Sequence, residues 1–478
     1  MTLKKQAFSA IRWTSFSLFT RAFLQFAQIA ILARILTPAD FGLAAIVTSI
    51  MAFLQIFADA GISNAIIHHQ NISNDQQSSL YWLNVCATSV LAIVLVLFSG
   101  LLATWYEQPN LDNLIILAAL AMIASSIGLQ LRLKAQKSLN FSPLARVDVS
   151  AALLGFISAI ASAFVGFGVY SLLIGALITS VLSSLLSWIY LSDGWRPLIR
   201  LKLSEIREFL QFGGYMMANN LANSFNSQID VLLGGKMMSA QAIGQYSIAK
   251  SLNLNIAMIV NPIVTQVGLP VMAQTQNDPA LLKRIYLQTM LMTASINFPI
   301  YIFLIFFAPE VVALYLGESW ASTIPLMQIF AAWALLRSTG NPVGSLLMAK
   351  GRADLSFKWN LIWLFITPPA IWLGSHYGAT GMATSMVLLG LIGYWPNWFF
   401  LVRPLSGITF IEYSFLLLKP LLTSVCAVVI SYLGVMLITA SLLRIIFSLL
   451  IFSTSYLILS FYFNQQWFKT IRDFLKGK

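Results

Sequence analysis

Charge is scarce in this sequence. Only 9% of its 478 residues are charged, while 58% are hydrophobic, whereas soluble domains carry roughly 25% charged residues. A soluble fold is therefore excluded, and the mean hydropathy of +0.81 predicts an integral membrane protein. The apolar runs are continuous and do not alternate with polar residues, which argues against a transmembrane β-barrel and predicts an all-α protein.

Cysteine, histidine and catalytic motifs are also scarce. The two cysteines, Cys86 and Cys426, lie inside apolar runs and are expected to be free packing residues. His68 and His69 have no further ligands nearby in the sequence, so no metal site is predicted. There is no P-loop, nucleophile elbow, HExxH motif or dinucleotide fingerprint. The sequence therefore predicts no ATPase, no cofactor and no enzymatic activity.

Apolar periodicity, interrupted by glycine, proline and charge, predicts about fourteen transmembrane helices. Their approximate positions are 12–35, 42–67, 79–104, 112–133, 147–167, 169–191, 207–235, 241–273, 284–308, 321–348, 355–375, 377–402, 413–439 and 442–463. We interpret them as two six-helix bundles, at 1–191 and 207–405, joined by a cytoplasmic linker at 192–206. The remaining segment, 406–478, is predicted to hold two additional helices and a basic cytoplasmic tail.

An internal repeat supports this division. A shift of 202 positions (236 − 34) places Arg34–Gly42 over Lys236–Gly244, and the cation, two apolar residues, hydroxyl residue and glycine coincide. The same shift places Asp59 over Asn261. The two bundles are therefore predicted to be pseudo-symmetric, and each contains the same helical hairpin.

The net charge of +12 does not indicate nucleic-acid binding, because the basic residues collect in alternate loops between apolar runs. The sequence begins with Lys4, Lys5 and Arg12 before an uncleaved first helix. With the N-terminus in the cytoplasm, most of the 28 Lys and Arg residues fall on the cytoplasmic side, which predicts that both termini are cytoplasmic. The basic tail at 464–478 is either an amphipathic helix on the inner leaflet or a solvated segment.

Basic residues inside predicted helices need a reason, because a cation near the bilayer centre costs at least about 2.5–3.5 kcal/mol. Arg21 shares a helix face with Gln25 and Gln28, and is either a cavity cation that meets an anionic head group or one partner of a structural pair with a carboxylate. Lys250 and Arg337 are candidates on the same ground. Lys419 lies near a helix end, where snorkelling explains it.

The predicted helix at 207–235 carries a polar stripe. Asn219, Asn223, Asn226 and Asp230 are spaced by four, three and four residues, which places them on one helix face. Such a stripe either lines a cavity that contacts sugar or forms hydrogen bonds with neighbouring helices. Asp59 and Asp230 are candidates for coupling to a proton or sodium ion, with pairing to a basic neighbour as the alternative. Asp148 is a further carboxylate, at the start of a predicted helix.

Several segments resemble one protein family in order and content. They are DFG at 40–42, FADAGISNAIIHHQ at 57–70, YWLN at 81–84, WYEQPNL at 105–111, GWRP at 194–197, the segment 207–236, LGESWASTIPLMQI at 316–329 and MAKGRADLSFKWN at 348–360. Together they resemble the Wzx-type polysaccharide exporters, in the colanic-acid-exporter-like branch of the multidrug/oligosaccharidyl-lipid/polysaccharide flippase superfamily.

The resemblance implies two six-helix bundles around a central cavity that opens to one side at a time. It also implies a substrate, an undecaprenyl-diphosphate-linked oligosaccharide turned from the inner to the outer leaflet of the bacterial inner membrane. By similarity to the lipid II flippase branch, Arg21 falls where a cation meets the diphosphate. The acidic residue that often follows in that branch is replaced here around Ala27–Gln28, and His69 stands where other exporters often have Arg or Lys.

These observations predict a monomeric, non-enzymatic flippase that works by alternating access. Arg21, Lys250 and Arg337 are the candidate diphosphate ligands, and the sugar contacts are expected from Gln25, Gln28, Asn219, Asn223 and Asn226. Expected partners are the lipid-linked oligosaccharide and membrane lipid, with a polysaccharide polymerase as a further candidate. One alternative is a multidrug or cation antiporter, which should prefer an acidic cavity. Another is a membrane glycan polymerase or ligase, which usually needs a large outer loop.

Overall fold

The structure, a computed structural model, describes residues 3–59, 61–69, 72–465 and 467–468. The helices up to the linker and just after it are α1 Leu3–Leu32, α2 Pro38–Asp59, α3 Ile62–His68, α4 Asn74–Leu97, α5 Ser99–Trp105, α6 Leu111–Lys137, α7 Phe141–Phe164, α8 Tyr170–Leu191 and α9 Arg207–Met237. The remaining helices are α10 Ala240–Gln274, α11 Pro279–Phe306, α12 Ala308–Tyr315, α13 Ile324–Ser338, α14 Asn341–Ala349, α15 Ala353–Ser375, α16 Gly378–Asn397, α17 Arg403–Ser406, α18 Phe410–Gly434 and α19 Ser441–Phe463.

The helical content confirms the predicted all-α membrane class. Within the described residues, 11 helical segments are long and apolar enough to cross a membrane. The predicted helices at 207–235, 241–273 and 355–375 form as α9, α10 and α15 but are not among those segments. Amides and charged residues in α9, and Lys358 with Pro368 and Pro369 in α15, lower the hydropathy of these two helices. The total of about fourteen spans therefore stays a prediction.

Some predicted helices are broken in the structure. The predicted helix at 42–67 is α2 followed by α3, separated at Gly61, whose φ of +72° is a left-handed conformation that favours glycine. A Cβ atom at Gly61 would also lie 2.1 Å from the backbone oxygen of Gly213 in α9. The predicted helix at 321–348 is also broken, because α13 ends at Ser338 and α14 begins at Asn341.

The chain divides into two compact units, Met1–Gly244 and Gln245–Lys478. In the first unit, α7 packs on α1 and α8, α6 packs on α4 and α8, and α9 packs on α2 and α3. In the second unit, α11 packs on α13 and α18, α18 packs on α19, and α16 packs on α13 and α15. The bundle limits at 191, 207 and 405 come from the repeat pattern and stay predictions.

The two glycines that the repeat aligns lie against each other in the first unit. A Cβ atom at Gly42, in the first turns of α2, would lie 1.9 Å from the backbone oxygen of Ala240, and one at Gly244 would lie 1.8 Å from the backbone oxygen of Pro38. Pro38 and Ala240 are themselves equivalent in the repeat, because 240 − 38 is also 202. The contact is thus reciprocal between equivalent positions, and it requires that both positions lack a side chain.

The linker is bound along α4. The Trp82 indole Nε1 donates to the Leu198 backbone oxygen at 2.8 Å, and the Leu198 backbone N–H donates to Ser78 Oγ at 3.1 Å. The Lys202 backbone N–H donates to Ser79 Oγ at 3.3 Å, and both serines are fully buried. These hydrogen bonds fix the path of the chain from α8 to the beginning of α9.

Replacing Trp82 by phenylalanine should loosen the linker, because the phenyl ring cannot donate to Leu198. Trypsin cleavage at Arg196, Arg200 or Lys202 should become about fivefold faster, as loss of one hydrogen bond worth about 1 kcal/mol implies. Limited proteolysis of inverted membrane vesicles measures this rate. Trp398→Phe is the matched control, because it removes an indole bond of 2.9 Å to Ile408 in the second unit. Unchanged cleavage of Trp82→Phe would contradict the role of this bond.

Candidate functional site

A polar cavity of about 420 Å³ lies inside the first unit, among α2, α3, α4, α6 and α8. Its volume is within the range of about 300–1,000 Å³ that ligand pockets occupy. Hydroxyl side chains of serine and threonine make up much of the wall, and Gln55 and Asn84 add amides. Asp59 and Arg132 bring one carboxylate and one guanidinium to it. The wall therefore offers hydrogen-bond donors and acceptors as well as both signs of charge.

Arg132 is the residue that the sequence analysis missed at this site. The sequence predicted Arg132 at the end of the helix at 112–133, among the basic residues on the cytoplasmic side, but α6 continues to Lys137. Its Nη1 atom donates to Ser183 Oγ of α8 at 2.7 Å. Its Nη2 atom lies 2.5 Å from Asp148 Oδ1 of α7. Arg132 thus joins three helices while its side chain lines the cavity.

Arg21 belongs to the same charge network. Its Nη1 atom lies 3.3 Å from Asp148 Oδ2, so the carboxylate of Asp148 lies between two guanidinium groups. The Asp148 side chain is only 12% exposed, whereas that of Arg21 is 45% exposed. Two cations and one anion leave the network with a charge of +1 (2 − 1). The structure contains the carboxylate pairing for Arg21 that the sequence left open, and it connects Arg21 through Asp148 to the cavity wall.

Asp59 lies at the cavity wall, where α2 gives way to α3. Its Oδ1 atom accepts hydrogen bonds from the Ser63 backbone N–H at 3.2 Å and from Ser63 Oγ at 2.5 Å. Nearby, Asn84 Nδ2 donates to the Ala58 backbone oxygen at 3.1 Å. This arrangement stabilises the first turn of α3 and holds the carboxylate in place. Its predicted part in ion coupling stays a prediction.

The polar stripe of α9 passes through different environments. Asn223 is exposed, Asn226 is half-buried and Asp230 is fully buried. The Asp230 Oδ1 atom accepts from the Val231 backbone N–H at 3.0 Å. Next to the stripe, Gln228 Oε1 accepts from Ser49 Oγ of α2 at 3.1 Å, so hydrogen bonding between helices accounts for part of the polarity of α9. The side chain of Asn219 lies outside the described residues.

The other predicted site residues are dispersed among three helices. Gln25 is exposed and Gln28 half-buried on α1, and Lys250 is buried in α10. The guanidinium of Arg337 lies 5.0 Å from the ring centroid of Trp333, one turn earlier on α13, in a cation–π contact. Lys250 and Arg337 belong to the second unit and Arg21 to the first. Their grouping around one diphosphate stays a prediction.

Outside the predicted spans, Glu107 and Lys236 form an ion pair that connects the loop before α6 to the end of α9. The Lys236 Nζ atom donates to Glu107 Oε1 at 2.8 Å, and this hydrogen bond holds the pKa of the Glu107 carboxyl below its usual value. Lys236 also lies 5.5 Å from the ring centroid of Trp105. The ion pair therefore fixes the loop before α6 against the end of α9.

The chain is similar to known proteins in both sequence and fold. The family model described as polysaccharide biosynthesis protein matches residues 31–325. Lipopolysaccharide biosynthesis protein WzxC of Escherichia coli (strain K12) is 32% identical over 439 residues, covering 91% of this chain and 89% of that protein. Succinoglycan biosynthesis transport protein ExoT of Rhizobium meliloti (strain 1021) is 23% identical over 372 residues, covering 77% and 74%. The structure of lipid II flippase MurJ in an inward closed conformation is similar in fold, with a TM-score of 0.78 at 14% identity, covering 95% and 99%.

Proposed function

Because the chain belongs to the family of polysaccharide biosynthesis proteins, we propose that it is a flippase for an undecaprenyl-diphosphate-linked oligosaccharide. It moves this repeat unit from the cytoplasmic to the periplasmic leaflet of the bacterial inner membrane, for the synthesis of an O-antigen, capsule or exopolysaccharide. The relative ExoT is named as a transport protein of succinoglycan biosynthesis, and the relative WzxC is named as a lipopolysaccharide biosynthesis protein. The observation that carries the proposal is the polar, arginine-containing cavity inside a multi-pass membrane protein.

The cavity matches the two polar parts of such a substrate. The serine and threonine hydroxyls, with Gln55 and Asn84, can both donate to and accept from sugar hydroxyls. The guanidinium of Arg132 suits a phosphate, because its planar fork can donate two parallel hydrogen bonds to phosphate oxygens. The polyprenyl tail remains in the lipid, because a hydrocarbon chain cannot form hydrogen bonds with a polar cavity wall.

The roles predicted from the sequence are part of the same proposal. Arg21, Lys250 and Arg337 neutralise the diphosphate as the carrier changes conformation, and Asp59 and Asp230 couple the cycle to an ion gradient. The sugar contacts extend to Gln25, Gln28, Asn219, Asn223 and Asn226. The cycle is alternating access between two pseudo-equivalent bundles, and the protein acts as a carrier and not as an enzyme. Arg132 in the wall favours an anionic substrate over the organic cations of a multidrug antiporter.

Transport can be measured directly with the purified protein. Proteoliposomes that contain the full chain and a fluorescent undecaprenyl-diphosphate-linked oligosaccharide should make the inner-leaflet probe accessible to an impermeant quencher. Vesicles without protein are the control for spontaneous movement. Complementation of a bacterial strain that lacks its own exporter tests the same activity in cells. Equal quenching with and without the protein would rule out the proposed function.

Both termini are proposed to lie in the cytoplasm, and introduced cysteines can test this orientation. In a Cys86→Ser and Cys426→Ser background, Glu107→Cys should react with a membrane-impermeant maleimide in intact spheroplasts. Asp193→Cys, at the beginning of the linker, should react only after the membrane is opened. The opposite labelling pattern would reverse the proposed topology.

A further inference from the structure

Asp148 occupies the position in the charge network that an anionic ligand would take. Each of its two carboxylate oxygens faces a different arginine, Oδ1 facing Arg132 at 2.5 Å and Oδ2 facing Arg21 at 3.3 Å. The three residues come from α6, α7 and α1. Two guanidinium groups that converge on neighbouring oxygens also form a suitable arrangement for phosphate oxygens. The side chain of Asp148 therefore competes for the same donors as a phosphate group would.

The network is built so that an anion can reach it. Arg21 is nearly half exposed, whereas Asp148 is largely buried, and Arg132 lines the cavity. Each guanidinium has five N–H donors, so Arg132 can keep its bond to Ser183 while it changes its anionic partner. The three-residue network itself has a net charge of +1 (2 − 1) before Asp148 is displaced.

We propose that Asp148 is an exchangeable counter-ion, which pairs with Arg21 and Arg132 in the empty carrier and gives them up to the diphosphate of the substrate. This inference rests on the proposed flippase function and adds a release step to it. Two free arginines would hold a diphosphate tightly, and a transporter needs binding that is weak enough to reverse. When the head group reaches the outer leaflet, Asp148 pairs again with the two arginines and lowers their affinity for the diphosphate.

Asp148→Asn separates this role from a purely structural one. Inorganic pyrophosphate is the probe, and its dissociation constant for the purified full chain in nanodiscs is measured by isothermal titration calorimetry. We expect the dissociation constant to fall about tenfold. This factor corresponds to one charge-assisted hydrogen bond for which Asp148 no longer competes with the anion. Asp354→Asn is the matched control, because Asp354 pairs with Arg352 in an exposed part of the second unit. The dissociation constant of pyrophosphate for this variant should equal that for the wild type.

The transport assay provides the second readout. Asp148→Asn should lower both the half-saturating concentration of the lipid-linked probe and the maximal rate, because release becomes slower. A folded Asp148→Asn protein that binds pyrophosphate no more tightly than the wild type would overturn the inference. If wild type does not transport but Asp148→Asn still binds pyrophosphate more tightly, the counter-ion exchange stands and the flippase function fails.

A double variant covers the case in which Asp148→Asn does not fold, since it leaves two arginines without their carboxylate. Arg21→Gln with Asp148→Asn removes one positive and one negative charge together, so the net charge is kept. It should bind pyrophosphate more tightly than Arg21→Gln alone, in which Asp148 still occupies Arg132. Equal affinity of these two variants would show that Asp148 does not compete with the anion.

Discussion

Export falls by at least about 30-fold when Arg132 is replaced by alanine, because truncating one partner of a largely buried charge pair costs about 2–5 kcal/mol and 1.4 kcal/mol is a factor of ten. The alanine removes the only guanidinium among the residues that line the cavity within the described part of the chain. It also removes the bond to Ser183 and leaves Asp148 with Arg21 alone. The flipping rate in proteoliposomes measures the loss.

Lysine at position 132 should restore part of the activity. An ammonium group carries the charge, but it cannot reproduce the planar fork that binds Ser183 and Asp148 at once. Arg352→Ala is the matched control, because Arg352 pairs with Asp354 at 2.8 Å with both side chains about half exposed, and such pairs contribute about 0–1 kcal/mol. Normal export by an abundant Arg132→Ala protein would remove Arg132 from the transport mechanism.

A single methyl group at Gly42 or Gly244 should strongly reduce the amount of folded protein. The added Cβ atom would lie within 2 Å of a backbone oxygen in either case, and a backbone atom in a packed helix cannot move aside as the end of a flexible side chain can. Overpacking of this kind costs about 1–3 kcal/mol or more. We expect Gly42→Ala and Gly244→Ala to lower the melting temperature and the monodisperse fraction in fluorescence-detected size-exclusion chromatography.

Gly344→Ala is the internal control for these two variants. Gly344 lies in α14, and a Cβ atom there would have nothing within 4 Å. Alanine should therefore be neutral, or stabilise the protein by about 0.4–1 kcal/mol through a less flexible unfolded chain. If Gly42→Ala and Gly244→Ala melt at the same temperature as Gly344→Ala, the close reciprocal contact between the repeat-related glycines is not rigid.

The two glycines of this prediction, Gly42 and Gly244, are equivalent positions of the internal repeat. The alignment of Arg34–Gly42 with Lys236–Gly244 was visible in the sequence, but it did not indicate that the equivalent residues touch. Only the fold places the oxygen of Pro38 beside Gly244 and the oxygen of Ala240 beside Gly42. A repeat shows that two segments are alike in sequence, whereas a contact between them depends on how the helices pack.

The sequence by itself determined the class of the protein, because the balance of apolar and charged residues decides whether a chain is stable in water or in lipid. It located the helices to within several residues, since apolar runs and their Gly and Pro interruptions are local signals. It also identified Arg21 as a cation that needs a partner, because an unpaired charge in lipid is costly. This cost can be recognised from one helix alone, without knowing which residue is the partner. The resemblance to the exporter family was equally readable, since it rests on segments and their order.

Only the tertiary structure identified Asp148 as the partner of Arg21. Arg21 and Asp148 are separated by 127 positions, and hydropathy read along one helix carries no information about its neighbours. Arg132 was counted as a cytoplasmic-side charge because a cation near the end of an apolar run is a topology signal, yet α6 extends past it to Lys137. The counter-ion network and the polar cavity arise where side chains of separate helices meet, and that meeting is determined by packing.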